Sequence, residues 1–344
     1  MKYKVLGNSG LMVSTLCLGT MTFGGKGKGL YEMVGTLEQP AVDELVKRAV
    51  DAGINFIDTA NVYAEGRSEE LTGQAIRNLG LKRDDLVIAT KVCAAMGKGV
   101  NDQGLSRKHI MQQVEASLKR LQTDYIDLYQ AHNWDPLVPL EETLRAMDDL
   151  ITSGKVRYIG GSNYMGWYMM KAQAVAGKYQ LHPYIAMQSH YSIATRELER
   201  DVIPALQDQK VGLMVWSPLC AGLLSGKYQR NGATTDAGRY QKVSFIPVDT
   251  ERAFNILDVL HTMAAEKGTT VAQLALAWLL HQSVVTSVII GANKLSQLED
   301  NLGAVNVRLS AEELQQLDEV SRLSVEYPGW ITGWRDRSFV KENS

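Results

Sequence analysis

The chain of 344 residues holds only three cysteines, Cys17, Cys93 and Cys220, widely spaced and odd in number. Such a set builds no disulfide framework and suits a reducing compartment. No stretch approaches eighteen consecutive apolar residues, so a transmembrane helix is not expected. Neither sign of charge is in excess: 36 Lys and Arg stand against 38 Asp and Glu, a net charge of -2, with no basic run. Nucleic acid and anionic membrane are therefore not expected partners. The opening "MKYKVLGNSGLMVS" lacks the apolar core of a secretory signal, which leaves the cytoplasm as the expected location. The six histidines include no H-E-x-x-H and no two lie four residues apart, so no metal site is expected. A dinucleotide fingerprint G-x-G-x-x-G is missing too. The glycine-rich "GGKGKGLYEMVG" has another spacing and precedes a polar loop, which excludes a doubly wound fold.

What remains is an ordinary globular composition, 45% hydrophobic and 22% charged, with a strong alternation written into it. Eight short apolar runs read as buried strands: "STLCLG", "INFIDT", "LVIATK", "YIDLYQ", "VRYIGG", "YIAMQS", "VGLMVW" and "VTSVII". Between them lie segments such as "PAVDELVKRAVDAG", "SRKHIMQQVEASLKRLQ", "LEETLRAMDDLITSG" and "VAQLALAWLLHQ", with apolar residues at helical spacing. Gly53, Gly80 and Gly154 stand where helices would end. Eight strands alternating with helices predict an α/β fold, a (β/α)8 TIM barrel, as one domain over residues 1–344. "YKVLGNSGLMVS" predicts an N-terminal β-hairpin capping the bottom of the barrel. A polar insertion runs from Ser217 to about Thr250, and an aromatic tail, "EYPGWITGWRDRSFVKENS", is expected over the active-site mouth.

In such a barrel, chemistry gathers at the C-terminal tips of the strands. The first tip carries Gly19, Thr20 and Met21. The second ends in Asp58, with Tyr63 in its loop, within "INFIDTANVYAEGRSEE". Lys91 and His132 end the third and fourth. Ser162 and Asn163, Gln188, Trp216 and Ser217, and Gly291 and Ala292 follow at the remaining tips. A buried Lys91 needs a counter-ion, which Asp58 on the neighbouring strand supplies. A cation beside Tyr63 is expected to lower its pKa and make it a proton donor, with His132 bonding the same oxygen. Asp58 has no partner acid at another tip, so glycosidase chemistry is excluded. The set protonates a carbonyl oxygen and calls for a hydride donor. The N-terminus of a helix starting near Leu295 offers a phosphate site, with Lys294, Gln297 and Asn301 on one face.

Six ordered motifs, "FIDTANVY…SEE…G", "TK", "YIDLYQAHNWD", "GKVRYIGGSNY", "WSPLCAGLLSGKY" and "IIGANKLSQLEDN", resemble the aldo-keto reductase superfamily from about residue 3 to 320. The resemblance implies reduction of an aldehyde or ketone with NADPH, leaving NADP+. It places the catalytic tetrad on Asp58, Tyr63, Lys91 and His132, with Tyr63 as general acid. Ser162, Asn163 and Gln188 would hold the nicotinamide carboxamide, and Trp216 would stack on the ring. The Ser217–Lys227 stretch, with Pro218, Leu219, Gly222, Leu223 and Gly226, would cover the pyrophosphate. Gly291, Ala292, Asn293, Lys294, Gln297 and Asn301 would hold the adenosine end, and Gly19, Thr20, Met21 and Asp58 would border the cofactor. Where many relatives carry an arginine near Asn293, this chain has Lys294, a point charge rather than a fork. Met21, Phe23, Trp134, Tyr327, Trp330 and Trp334 are expected to line the substrate pocket with Tyr63 and His132, which suits a bulky or cyclic carbonyl. Reverse oxidation of an alcohol, or a regulatory subunit that binds cofactor, stays open. The motifs encode no oligomeric state.

Overall fold

A computed structural model describes residues 1–228, 230, 240 and 246–332. Trp334, expected in the pocket, and much of the polar insertion lie outside the described residues.

All eight predicted strands form. They are β3 (Leu16–Gly19), β4 (Phe56–Asp58), β5 (Val87–Val92), β6 (Ile126–Ala131), β7 (Val156–Ser162), β8 (Ala186–His190), β9 (Gly212–Trp216) and β10 (Val285–Ile290). They pair in parallel and in chain order, and β10 closes on β3 to complete the barrel. Burial on both faces explains why these segments read as near-continuous apolar runs rather than alternating ones.

Helices surround the sheet where their spacing predicted, among them Gln39–Asp51, Arg107–Leu121, Leu140–Thr152 and Val271–His281. Ser106 caps one by accepting from the His109 amide at 3.3 Å. Gly53, Gly80 and Gly154 follow helix ends at φ 88°, 60° and 76°, a left-handed turn that costs glycine nothing. No helix among the described residues is long and apolar enough to cross a membrane.

The N-terminal hairpin, β1 (Tyr3–Val5) with β2 (Met12–Ser14), closes the bottom. Its turn inserts Leu6 fully into an inner cluster of Cys17, Phe56, Ala89, Leu128, Ala186, Met214 and Ile289. Gly7, at φ 58°, fits there because any Cβ would run into the Ile185 carbonyl. The larger apolar cluster fills the space between barrel and helices.

The inner cluster also fixes the site above it. Side chains of a strand alternate in and out with a period of two. Asp58 follows Phe56 by two, Lys91 follows Ala89, Gln130 follows Leu128, Gln188 follows Ala186 and Trp216 follows Met214. Each inward apolar residue is thus succeeded, one layer nearer the mouth, by a residue of the site.

Candidate active site

Lys91 is fully buried, and its ammonium is completely engaged. Nζ donates to Asp58 Oδ2 at 2.6 Å, to the Thr59 carbonyl at 2.7 Å and to Tyr63 OH at 3.3 Å. The other carboxylate oxygen, Asp58 Oδ1, accepts from Gln188 Nε2 at 2.8 Å and Gln130 Nε2 at 3.2 Å. Asp58, Gln130 and Gln188 come from the alternate strands β4, β6 and β8, the way a barrel builds one interior layer. Gln130 is a site residue that the sequence reading did not single out. The signal was present: a fully buried amide inside the quoted "YIDLYQ".

Burial works against the Lys91 ammonium, but Asp58 and then Tyr63 outweigh it, and its pKa rises above the ordinary value. The expected fall of the Tyr63 pKa is corrected. Burial raises it, Lys91 pulls it down, and burial wins. The cation still favours the phenolate, but the partial loss of solvent around the ring, with the Asp58 charge behind it, favours the neutral phenol more. Tyr63 therefore rests as a protonated phenol with its hydroxyl against a fixed cation. Its loop is held in unusual backbone, with Ala64 at φ 49° and Glu65 at φ 57°. Such strain persists where the surroundings over-determine it.

His132 stands edge-on to Tyr63, ring centroids 5.8 Å apart. Its buried Nδ1 has no hydrogen-bond partner among the described residues. Burial, and second the Lys91 charge, push its pKa down to about 3, so the ring is neutral. Tyr31, in a short helix (Leu30–Val34), approaches Tyr63 from the other side at 6.2 Å. Burial and then Tyr63 lift its pKa to about 12. The Lys28–Glu65 pair at 2.7 Å and the Asn293 Nδ2 bond to the Val34 carbonyl at 2.9 Å tie this segment across the mouth. Tyr31 was missed because nothing in a glycine-rich stretch forecasts those long-range bonds.

The other expected residues divide. Ser162 Oγ is buried without a hydrogen-bond partner among the described residues, whereas Asn163 is engaged. Asn163 Nδ2 donates to the His132 carbonyl and to Asn133 Oδ1, both at 3.1 Å, and Oδ1 accepts from Trp216 Nε1 at 2.9 Å. Gly19 is accounted for by packing, since a Cβ there would meet Ile289 Cγ2 at 2.6 Å. Thr20 is buried with its hydroxyl 2.8 Å from Ser68 Oγ, so its side chain braces the loop. Phe23 is fully buried in the outer cluster rather than lining a pocket, and Met21 is half-buried.

Along the Ser217–Lys227 stretch, Pro218 and Leu223 are buried, the latter in the outer cluster, while Ser217, Leu219, Gly226 and Lys227 keep partial exposure. Gly222, at φ 98°, faces open space. The last βα unit matches expectation in outline, with a helix over Leu295–Gly303. Gly291, Asn293, Lys294 and Gln297 are exposed, and Gln297 Oε1 accepts from the Asn293 amide at 2.9 Å. Ala292 is buried, its carbonyl bonded by Thr22, and Asn301 is buried rather than sharing an open face with Lys294. Trp134 is about one-third exposed and packs on Trp167 and Tyr168, while Tyr327 and Trp330 pair at 6.2 Å. The Glu326–Arg200 bridge at 2.8 Å anchors that tail beside the loop after β8.

The arrangement offers a protonated phenol beside a permanent cation and a neutral imidazole, with an unspent hydroxyl two strands away. Those are the parts for delivering a proton to a polar oxygen. Comparison with known sequences identifies the family. The Aldo/keto reductase family model matches residues 15–322. A Bacillus subtilis protein named as an uncharacterized oxidoreductase is 39% identical over 93% of this chain and 96% of its own. An Arabidopsis thaliana protein named as a voltage-gated potassium channel subunit beta is 39% identical over 89% of this chain and 92% of its own. A Schizosaccharomyces pombe protein named as an aryl-alcohol dehydrogenase is 38% identical over 92% and 95%. The chain belongs to the aldo/keto reductase family.

Proposed function

We propose that the chain reduces an aldehyde or ketone, bulky or cyclic, to its alcohol with NADPH, and that Tyr63 delivers the proton. The observation that carries this reading is the Asp58–Lys91–Tyr63 unit, hydrogen-bonded at 2.6 Å and 3.3 Å beside a neutral His132. The reduced nicotinamide, when bound, supplies a hydride to the carbonyl carbon. Tyr63 gives its proton to the carbonyl oxygen, and Lys91 compensates the phenolate that forms. At 3.3 Å the attraction is about 5 kcal/mol for an effective dielectric of ~20. Neutral His132 orients the same oxygen without competing as an acid. In the reverse direction the tyrosinate accepts the proton from an alcohol.

The residues also fit the cofactor. Ser162 Oγ, buried and without a hydrogen-bond partner among the described residues, suits an amide such as the nicotinamide carboxamide. Trp216 offers an indole face for the ring. Lys294, exposed at the start of the Leu295–Gly303 helix, suits a phosphate at a helix N-terminus. The Tyr31 and Trp134 rings at the mouth favour an apolar or aryl carbonyl, in keeping with the relative named for aryl alcohols.

Fluorescence titration with NADPH and NADH, on wild type and Lys294→Ala, tests the reading. NADPH is expected to bind more tightly and to lose about tenfold in the variant, with NADH little changed. Failure to bind either nucleotide overturns the proposal. A second reading, a cofactor-binding subunit of a larger assembly, is favoured by the relatives named as channel subunits. It requires that bound NADPH is not consumed with any carbonyl of a broad panel.

A further inference from the structure

One polar network next to the site has no part in the proton transfer. It begins at Asn163, which joins the His132 carbonyl to the Trp216 indole. The Trp216 ring lies against His190, centroids 4.8 Å apart and tilted by 40°. The two residues are register partners on β8 and β9. His190 Nδ1 is 3.2 Å from the Trp216 carbonyl oxygen, which can only accept, so Nδ1 carries the proton. Nε2 is then the acceptor, and its partner at 2.8 Å is Thr195 Oγ1, which must donate. With its hydrogen spent, Thr195 accepts from Ser192 Oγ at 2.7 Å. Ser192 Oγ in turn accepts the Ala194 and Thr195 amides at 3.1 Å, and the buried Cys220 thiol packs 2.9 Å from it.

We propose that His190 is a positioning residue: it sets the plane of the Trp216 indole against which the nicotinamide ring lies, and ties that plane to the Cys220 segment of the loop above it. The inference rests on the reading of Trp216 as the cofactor wall. A neutral imidazole combines a flat face, a donor and an acceptor on opposite edges, and the site uses all three. Burial keeps it neutral, outweighing the Trp216 carbonyl and Glu197. The backbone nearby would not hold its shape unaided. Asn163, Ser217, Cys220 and Ala221 stand at φ 59°, 49°, 47° and 56°, so the network supports left-handed residues at both of its ends.

The test compares full-length wild type with His190→Phe and His190→Gln, by tryptophan near-ultraviolet circular dichroism without cofactor and by NADPH titration. Phenylalanine keeps the flat face and removes both hydrogen bonds. It is expected to alter the tryptophan spectrum and to weaken NADPH about tenfold. Glutamine, with one donor and one acceptor, is expected to recover most of both. A lowered melting temperature with unchanged spectrum and affinity means a structural role alone and overturns the proposal. If His190→Phe does not fold, a cycle of His190→Ala with Trp216→Phe decides, and strictly additive effects on NADPH affinity overturn it. Should wild type bind no nucleotide, the cofactor reading fails by itself. The spectrum of the cofactor-free variants then still decides whether His190 positions Trp216.

Discussion

His132 should make the protein acid-labile in a way that one substitution removes. Burial, and next the Lys91 ammonium, lower its pKa from 6.5 to about 3 in the folded chain, while the unfolded chain keeps the ordinary value. Between those two values the unfolded chain binds more protons, so stability rises with pH there and is lost as pH falls through that window. Relative to about pH 7.5, the loss at about pH 5 covers roughly 1.5 units at about 1.4 kcal/mol each, or about 2 kcal/mol. The ring keeps some solvent access, so about 2 kcal/mol is the upper figure. His132→Gln has no proton to take up. An unfolding entropy of about 2 cal/mol/K per residue gives roughly 0.7 kcal/mol/K for a chain of this length. Between the two pH values wild type should lose about 3 °C more in melting temperature than the variant, read by scanning calorimetry. Equal losses in the two proteins would refute the claim that the fold holds this ring neutral.

Two further expectations concern the scaffold of the site. Lys91→Met strands the Asp58 carboxylate in the barrel and should cost about 3–5 kcal/mol, whereas Lys91→Met with Asp58→Asn should recover a large part of the stability but no activity. Urea unfolding of the two single variants and the double variant measures the coupling, and additive losses would contradict a buried pair. Gly7→Ala drives a Cβ into the Ile185 carbonyl at a left-handed residue and should destabilise the chain by more than about 2 kcal/mol. A neutral effect would mean that the hairpin does not plug the barrel.

The barrel was legible because its strands are buried on both faces, so that "LVIATK" or "VTSVII" could not be exposed structure. The tip residues were legible for a related reason: the period of two carries Asp58, Lys91 and Gln188 onto the inward face wherever the strands end. What the sequence could not carry was orientation beyond a strand end. Phe23 reads as a pocket wall four residues past a tip, yet it turns into the outer cluster. Tyr31 reads as loop, yet the Lys28–Glu65 and Asn293–Val34 ties bring it onto Tyr63. Solvation was the other blind spot. Counting Lys91 as a neighbour predicts a lowered Tyr63 pKa, and burial, joined by the Asp58 charge, reverses the sign. Thr20 and Leu223 stand where the motifs place the cofactor, yet their side chains are buried in the packing.

The account rests most heavily on Tyr63 as the proton donor. The direct measurement is the loss of nicotinamide absorbance with a panel of aryl and aliphatic aldehydes and ketones, for wild type and Tyr63→Phe at matched NADPH saturation. Wild type is expected to consume NADPH with at least one carbonyl, and the variant to bind NADPH equally well while turning over about a thousandfold more slowly. Turnover in Tyr63→Phe equal to wild type would contradict the assignment, whatever the substrate proves to be.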